Sequence, residues 1–261
     1  MKKLKQILVA IFVLTFIVAC NKDDNDPKGN LEKTTISAKW IVSNSSEYSS
    51  FEFNESGNYI VVKNTTTKST NGQIFLFGTY EITDNKTIVL SDFGTLTLSE
   101  IDENSIDFSI KLTSNPNNEI TINASKQEEM ESTARTDLLC RTWEMVTING
   151  EPVVGTEMEL TVLFSKAGTY FVSYPDNDEG GLAQWKWKNE AETQLLYSWD
   201  EVPVWEDADH VEIPELTSTK LIVIDDEDTC LLQPVSTTKS AIVKSLKDPS
   251  NKHIKSGFYN K

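Results

Sequence analysis

The sequence predicts an all-β chain in which one small antiparallel unit occurs twice in tandem. Two observations carry that expectation. The first is a repeated motif. Residues 53–59 read FNESGNY and residues 164–170 read FSKAGTY, so Phe-x-x-x-Gly-x-Tyr is written twice. The second is the texture between and around the motifs. Short runs such as Ser50-Phe51-Glu52-Phe53, Ile106-Asp107-Phe108-Ser109-Ile110 and Val202-Pro203-Val204-Trp205 alternate, and polar turns bound them. Successive side chains of a strand face opposite sides of a sheet, so runs of this kind at a spacing of about ten residues indicate an antiparallel barrel or sandwich.

Residues 1–19 lie outside that fold. Lys2, Lys3 and Lys5 charge the start, and an apolar run covers 7–18. A membrane-crossing helix takes about 20 apolar residues, so the run is too short to span a bilayer and fits a secretory signal. It ends Ile17-Val18-Ala19-Cys20, which resembles the bacterial lipobox. That resemblance implies cleavage before Cys20, a lipid on its sulfur and an acyl group on its new amine. Several acyl chains make a stable anchor, since each buried CH₂ contributes about 0.8 kcal/mol. Residues 20–31 then read as the lipidated Cys and a solvated tether. From Asn21 to Asn30 there is no apolar residue to pack. Lys22-Asp23-Asp24 also resembles the signal that sends lipoproteins of Bacteroidetes bacteria to the surface. The expected location is therefore the outer membrane, lipid-anchored and facing the cell exterior.

Charge excludes one class of partner. The 261-residue chain has a formal net charge of −16, and residues 1–19 hold three lysines and no acid. The mature chain is thus three charges more acidic still. Such a surface repels nucleic acid and anionic headgroups, which leaves the lipid as the membrane link.

The two copies can be followed in order. The first unit is assigned to 32–125, a linker to 126–135, the second unit to 136–245 and a C-terminal tail to 246–261. Ala38-Lys39-Trp40-Ile41-Val42 answers to Arg141-Thr142-Trp143-Glu144-Met145-Val146. The Phe-x-x-x-Gly-x-Tyr hairpins follow, with Gly57 and Gly168 as the residues that take positive φ in a loop of this length. Gly78-Thr79-Tyr80 and Ile88-Val89-Leu90 are matched to Trp185-Lys186-Trp187 and Leu195-Leu196-Tyr197. Leu98-Ser99-Glu100-Ile101 and Ile106-Asp107-Phe108 are matched to Ile213-Pro214-Glu215-Leu216 and Leu221-Ile222-Val223. Loop lengths drift, but the order never breaks. One helix is expected, over 126–139.

The second copy, with its Leu138-Leu139 pair, Trp143, the Gly168 hairpin and the closing Glu215-Leu216-Thr217-Ser218-Thr219-Lys220-Leu221, resembles the lipocalin-like domains of Bacteroidetes lipoproteins. The likeness covers roughly 136–235, and more faintly 32–125. The family's opening Leu-x-Gly-x-Trp has Arg141 at the Gly position here, and Ala38 in the first copy. The resemblance implies two small up-and-down barrels, often with an internal cavity. It implies no particular ligand and no catalytic residue.

Cysteine is sparse: beyond Cys20 only Cys140 and Cys230 remain. An antiparallel barrel closes its first strand on its last, so these two either form a disulfide or remain separate buried thiols. Two histidines, His210 and His253, cannot build a His-rich metal site or an ordinary catalytic triad. They read as exposed. Glu100 and Glu215 stand at matching places, which sets no glycosidase geometry. Asp176-Asn177-Asp178-Glu179-Gly180-Gly181 lacks the later ligands of a calcium loop. No catalytic residue, metal or cofactor is assigned, and an enzyme is not expected.

Aromatic density is the one conspicuous feature of the second copy. Trp185 and Trp187 share a strand face, as do Tyr197 and Trp199. These four are either core or the lining of a binding cavity. The expected function is a lipid-anchored envelope protein that holds a small apolar molecule or a glycan in a barrel lined by them. The alternative is a non-catalytic structural or protein-interaction module, such as an inhibitor or envelope scaffold. The sequence leaves the oligomeric state open.

Overall fold

Polar turns every few residues leave no stretch long enough for a core helix, and strands account for almost all regular structure. The computed structural model describes residues 31–64, 73–174, 180–200, 202–235, 244–247 and 258. Cys20, the signal and tether residues 1–30, His253 and the acidic stretch 176–179 lie outside the described residues.

The first copy runs α1 (Lys33–Ile36), β1 (Lys39–Val42), β2 (Tyr48–Phe53), β3 (Asn58–Asn64), β4 (Gln73–Ile82), β5 (Thr87–Leu90), β6 (Gly94–Ile101), β7 (Ser105–Leu112) and β8 (Asn115–Lys126). Each strand pairs antiparallel with the next, and β8 returns to β1. The second copy runs α2 (Ala134–Leu139), β9 (Thr142–Ile148), the two-residue β10 (Glu151–Pro152), β11 (Thr161–Phe164), β12 (Thr169–Ser173), β13 (Gly180–Trp187), β14 (Gln194–Ser198), β15 (Asp209–Leu216), β16 (Leu221–Asp225) and β17 (Asp228–Pro234). Here β17 returns to β9, while β10 folds back on β9 as a short flap. The molecule is thus two closed eight-stranded antiparallel barrels in tandem.

The repeat holds at the level of single atoms. Trp40 Nε1 donates to Ile36 O at 2.9 Å, and Trp143 Nε1 donates to Leu139 O at 2.9 Å. In each copy the indole takes up a carbonyl that a helix C-terminus leaves open. Ile36 and Leu139 are both fully buried in their barrels' cores, so the short helices are seated where the barrels open. Arg141 and Ala38 do not prevent this closure. The hairpins also match. Gly57 (φ +89°) and Gly168 (φ +79°) donate back to Asn54 O and Ser165 O, and their own carbonyls accept from Tyr80 N and Trp185 N. The register irregularity between Leu98 and Glu100 recurs between Glu212 and Glu215. One pairing expected from the sequence shifts. Tyr80 lies opposite Leu90 and Trp185 opposite Tyr197, so Tyr80 corresponds to Trp185, and Ile82 to Trp187.

Gly168→Ala is expected to destabilise the second barrel by about 1–2 kcal/mol, the usual penalty for a side chain in the left-handed region. A Cβ there would also sit 3.3 Å from Trp185 O. The urea midpoint of the variant measures this, and an unchanged midpoint would remove Gly168 as a requirement of the hairpin.

Other expectations change. The helix over 126–139 shortens to α2, because β8 continues to Lys126 and Thr133 starts the helix as an N-cap, accepting from Thr136 N. Val202-Pro203-Val204-Trp205 is a loop between β14 and β15. First and last strands are neighbours as expected, yet Cys140 and Cys230 are not joined. Cys230 lies opposite Ile148, whereas Cys140 precedes β9 at its other end, about 20 Å away at the usual strand rise. Burial pushes the Cys140 thiol well above its usual range, which disfavours the thiolate. Finally, β18 (Lys244–Lys247) spans the division drawn between second barrel and tail, and pairs with β4 of the first barrel.

The barrels meet through the same face of each copy. Ile60, Val62, Phe75 and Phe77 on the outside of β3 and β4 pack against Leu163, Phe171 and Leu182 on the outside of β11, β12 and β13. Phe77 and Phe171 have ring centroids 5.0 Å apart. These strands are therefore covered on both sides, by their own barrel and by the other one.

Candidate functional site

The four aromatics singled out in the sequence do come together inside or against the second barrel, chiefly as core. Trp185 and Tyr197 are cross-strand partners and almost completely buried. Trp185 packs edge-to-face on Phe164 at 5.6 Å and donates from Nε1 to Ser165 O at 3.0 Å. Trp187, half-buried, donates to Thr136 Oγ1 on α2 at 2.9 Å. Trp199 packs on Tyr170 at 5.6 Å, and its Nε1 is shielded with no partner among the described residues. The first barrel is filled by its own side chains, among them Trp40, Phe51, Tyr59 and Phe108.

One ring in the second barrel comes from beyond its last strand, β17. Phe258, from the C-terminal tail, is fully buried in that core. It stacks on Tyr170 at 5.1 Å and on Phe164 at 6.2 Å, and meets Tyr197 edge-on at 6.0 Å. Its N–H donates to Asp225 Oδ2 at 2.9 Å, and its carbonyl accepts from Tyr170 Oη. Complete burial holds the Tyr170 phenol far above its usual pKa, so it is a permanent donor.

An open cavity among the described residues lies elsewhere, between the barrels. It is a cleft of about 1010 Å³ walled by both copies. Charges of both signs line it: Lys39, Lys126, Arg141 and Lys166 with Glu52, Glu55, Glu129 and Asp137 among the acids. Several are already paired. Lys166 lies 2.7 Å from Asp137, holding that carboxyl below its usual pKa, and Lys126 lies 3.1 Å from Glu129. The linker joins this wall, since Gln127 Nε2 donates to Ala167 O and Met130 N to Lys166 O.

Glu52 is the unusual member. It points out of the first barrel into the interface and is only 4% exposed. Thr169 of the second barrel donates to its Oε2 at 2.7 Å and accepts from Lys39 Nζ at 3.3 Å. Glu52 Oε1 is shielded and has no partner among the described residues. A buried carboxylate oxygen without a donor costs about 1–3 kcal/mol or more, so a retained one calls for a reason.

This cleft is absent from what the sequence leads one to expect, although the apolar contact between the barrels does leave a signal. Tyr59-Ile60-Val61-Val62 and Tyr170-Phe171-Val172 do not alternate. A continuous apolar strand is covered on both faces. Glu52 itself sits in an alternating run and gives no sign of burial.

Among the described residues no group of three or more His, Cys, Asp or Glu is placed to hold a metal ion. No helix among them is long and apolar enough to cross a membrane. Neither a protein-family model nor a curated protein matches the sequence.

Proposed function

We propose that the chain is a non-catalytic binding protein of the cell envelope, anchored in the outer membrane through lipid on Cys20 and facing the exterior, that holds a glycan segment in the cleft between its barrels. The observation that carries this reading is Glu52: a buried carboxylate on the cleft wall with one oxygen lacking a donor among the described residues. A sugar hydroxyl supplies that donor. Paired charges of both signs around it suit a neutral polyol better than a strongly charged ligand, since single-sign fields are what attract ions. The packed cores of both barrels favour the cleft over a barrel interior as the site for such a ligand.

The test is native mass spectrometry of residues 21–261, recovered from the producing bacterium and then titrated with a panel of neutral oligosaccharides. A discrete adduct is expected, weakened about tenfold by Glu52→Gln, because a hydrogen bond to a charged group is worth about 1.5 kcal/mol. An adduct that survives Glu52→Gln and is lost with Trp187→Ala would overturn the cleft and return the ligand to the second barrel. One observation favours the interaction-module reading: Val202 and Val204, in the loop after β14, are 79% and 55% exposed. A clean apo mass across the panel would leave that reading in place.

A further inference from the structure

The second barrel binds Phe258 the way a receptor binds a peptide. Among the described residues, the groups that hold it belong to the barrel: Phe164 and Tyr170 stack on the ring, Tyr197 meets its edge, Asp225 takes its N–H and Tyr170 gives to its carbonyl. In an ordinary core strand the backbone N–H and C=O pair with other backbone groups. Here backbone donor and backbone acceptor are both read by side chains. The recognised unit is therefore an aromatic residue within a peptide chain, and not merely an apolar ring. Among the described residues, the core of the first barrel holds no such insert and is built from that copy's own side chains. The tail is meanwhile tied to the first barrel, where β18 pairs with β4 from Lys244↔Phe77 to Lys247↔Ile74. One tail thus engages both barrels. An insert joined covalently to its receptor gains effective concentration without any stronger contact.

We propose that the interior of the second barrel is an acceptor site for an aromatic residue of an extended peptide, occupied in cis by the chain's own Phe258 and open in trans to a partner segment bearing Phe in the same backbone setting. Trp199 fits this assignment. Its shielded indole N–H, packed on Tyr170, has no acceptor among the described residues, and an incoming peptide carries carbonyls. The inference stands on residues other than Glu52 and does not depend on the cleft holding a glycan.

The test uses the mature chain with Phe258→Ala and a fluorescently labelled peptide of residues 252–261, followed by polarisation. The variant is expected to bind the peptide at least tenfold more tightly than the unaltered chain, where the tethered Phe258 competes. A peptide carrying the same Phe258→Ala change is expected not to bind. Adding Asp225→Asn to the variant chain is expected to weaken binding about tenfold, as loss of a charged acceptor implies. Two results would overturn the proposal. One is a Phe258→Ala chain that keeps its near-ultraviolet circular dichroism and binds no peptide. The other is a variant that loses that spectrum, which would make Phe258 an ordinary core residue.

Discussion

Replacing Trp143 by Ala is expected to lower the stability of the second barrel by about 3–5 kcal/mol, the range for deleting a buried Trp or Phe side chain. The residue is completely buried where the barrel closes, opposite Val162 on β11 and Pro234 on β17. Its indole N–H holds Leu139 O of α2, and the Arg141 guanidinium lies 5.6 Å from its ring. Truncation opens a cavity at the seam and frees the helix end together. Domains are commonly stable by only about 5–15 kcal/mol, so the loss takes a large share. Urea unfolding, with Trp143→Phe as a milder control, measures it. Trp40→Ala is expected to act on the first barrel in the same way, because Trp40 makes the same hydrogen bond to Ile36 O. A loss below about 1 kcal/mol in both variants would contradict the role given to these indoles.

Phe171→Asp is expected to separate the barrels. Phe171 is almost fully buried, yet it faces away from its own core and into the apolar patch shared with Ile60, Val62 and Phe77. A carboxylate there loses the ring contact at 5.0 Å and is left in apolar surroundings, which costs several kcal/mol unless the interface opens to admit water. Opening is the cheaper response, since each barrel keeps its own closed sheet. Calorimetry is expected to show two transitions for this variant and one for the unaltered chain, and the radius of gyration from small-angle scattering is expected to rise. Phe171→Leu should preserve both properties. An Asp variant that unfolds in one transition at an unchanged radius would mean that the interface patch is not what couples the barrels.

Several features are legible in the sequence because they depend on near neighbours along the chain. The paired Phe-x-x-x-Gly-x-Tyr motifs mark the same hairpin, since the turn needs a positive φ at Gly57 and Gly168 whatever else surrounds them. The Trp40 and Trp143 landmarks align for a similar reason, each indole reaching only four residues back. Where the fold departs from those expectations, the cause lies at long range. Tyr80 and Trp185 are equivalent because strand register fixes them, and a slip of two residues leaves every apolar position on the same face. Cys140 and Cys230 do lie by adjacent strands, but adjacency says nothing about position along them. Trp185 and Tyr197 face inward as their spacing implies, while the ring that completes their core comes from residue 258.

The sequence by itself determined the two copies, their all-β character and the hairpins that anchor them. Alternation and turn chemistry are local properties, and they survive any arrangement of the rest. Only the tertiary structure decided what covers the outer faces of β3 and β12, which strand accepts β18, and why Glu52 is buried. Period two in a sequence states that a strand has two faces. What each face meets is set by contacts between residues far apart in the chain, which no local pattern encodes.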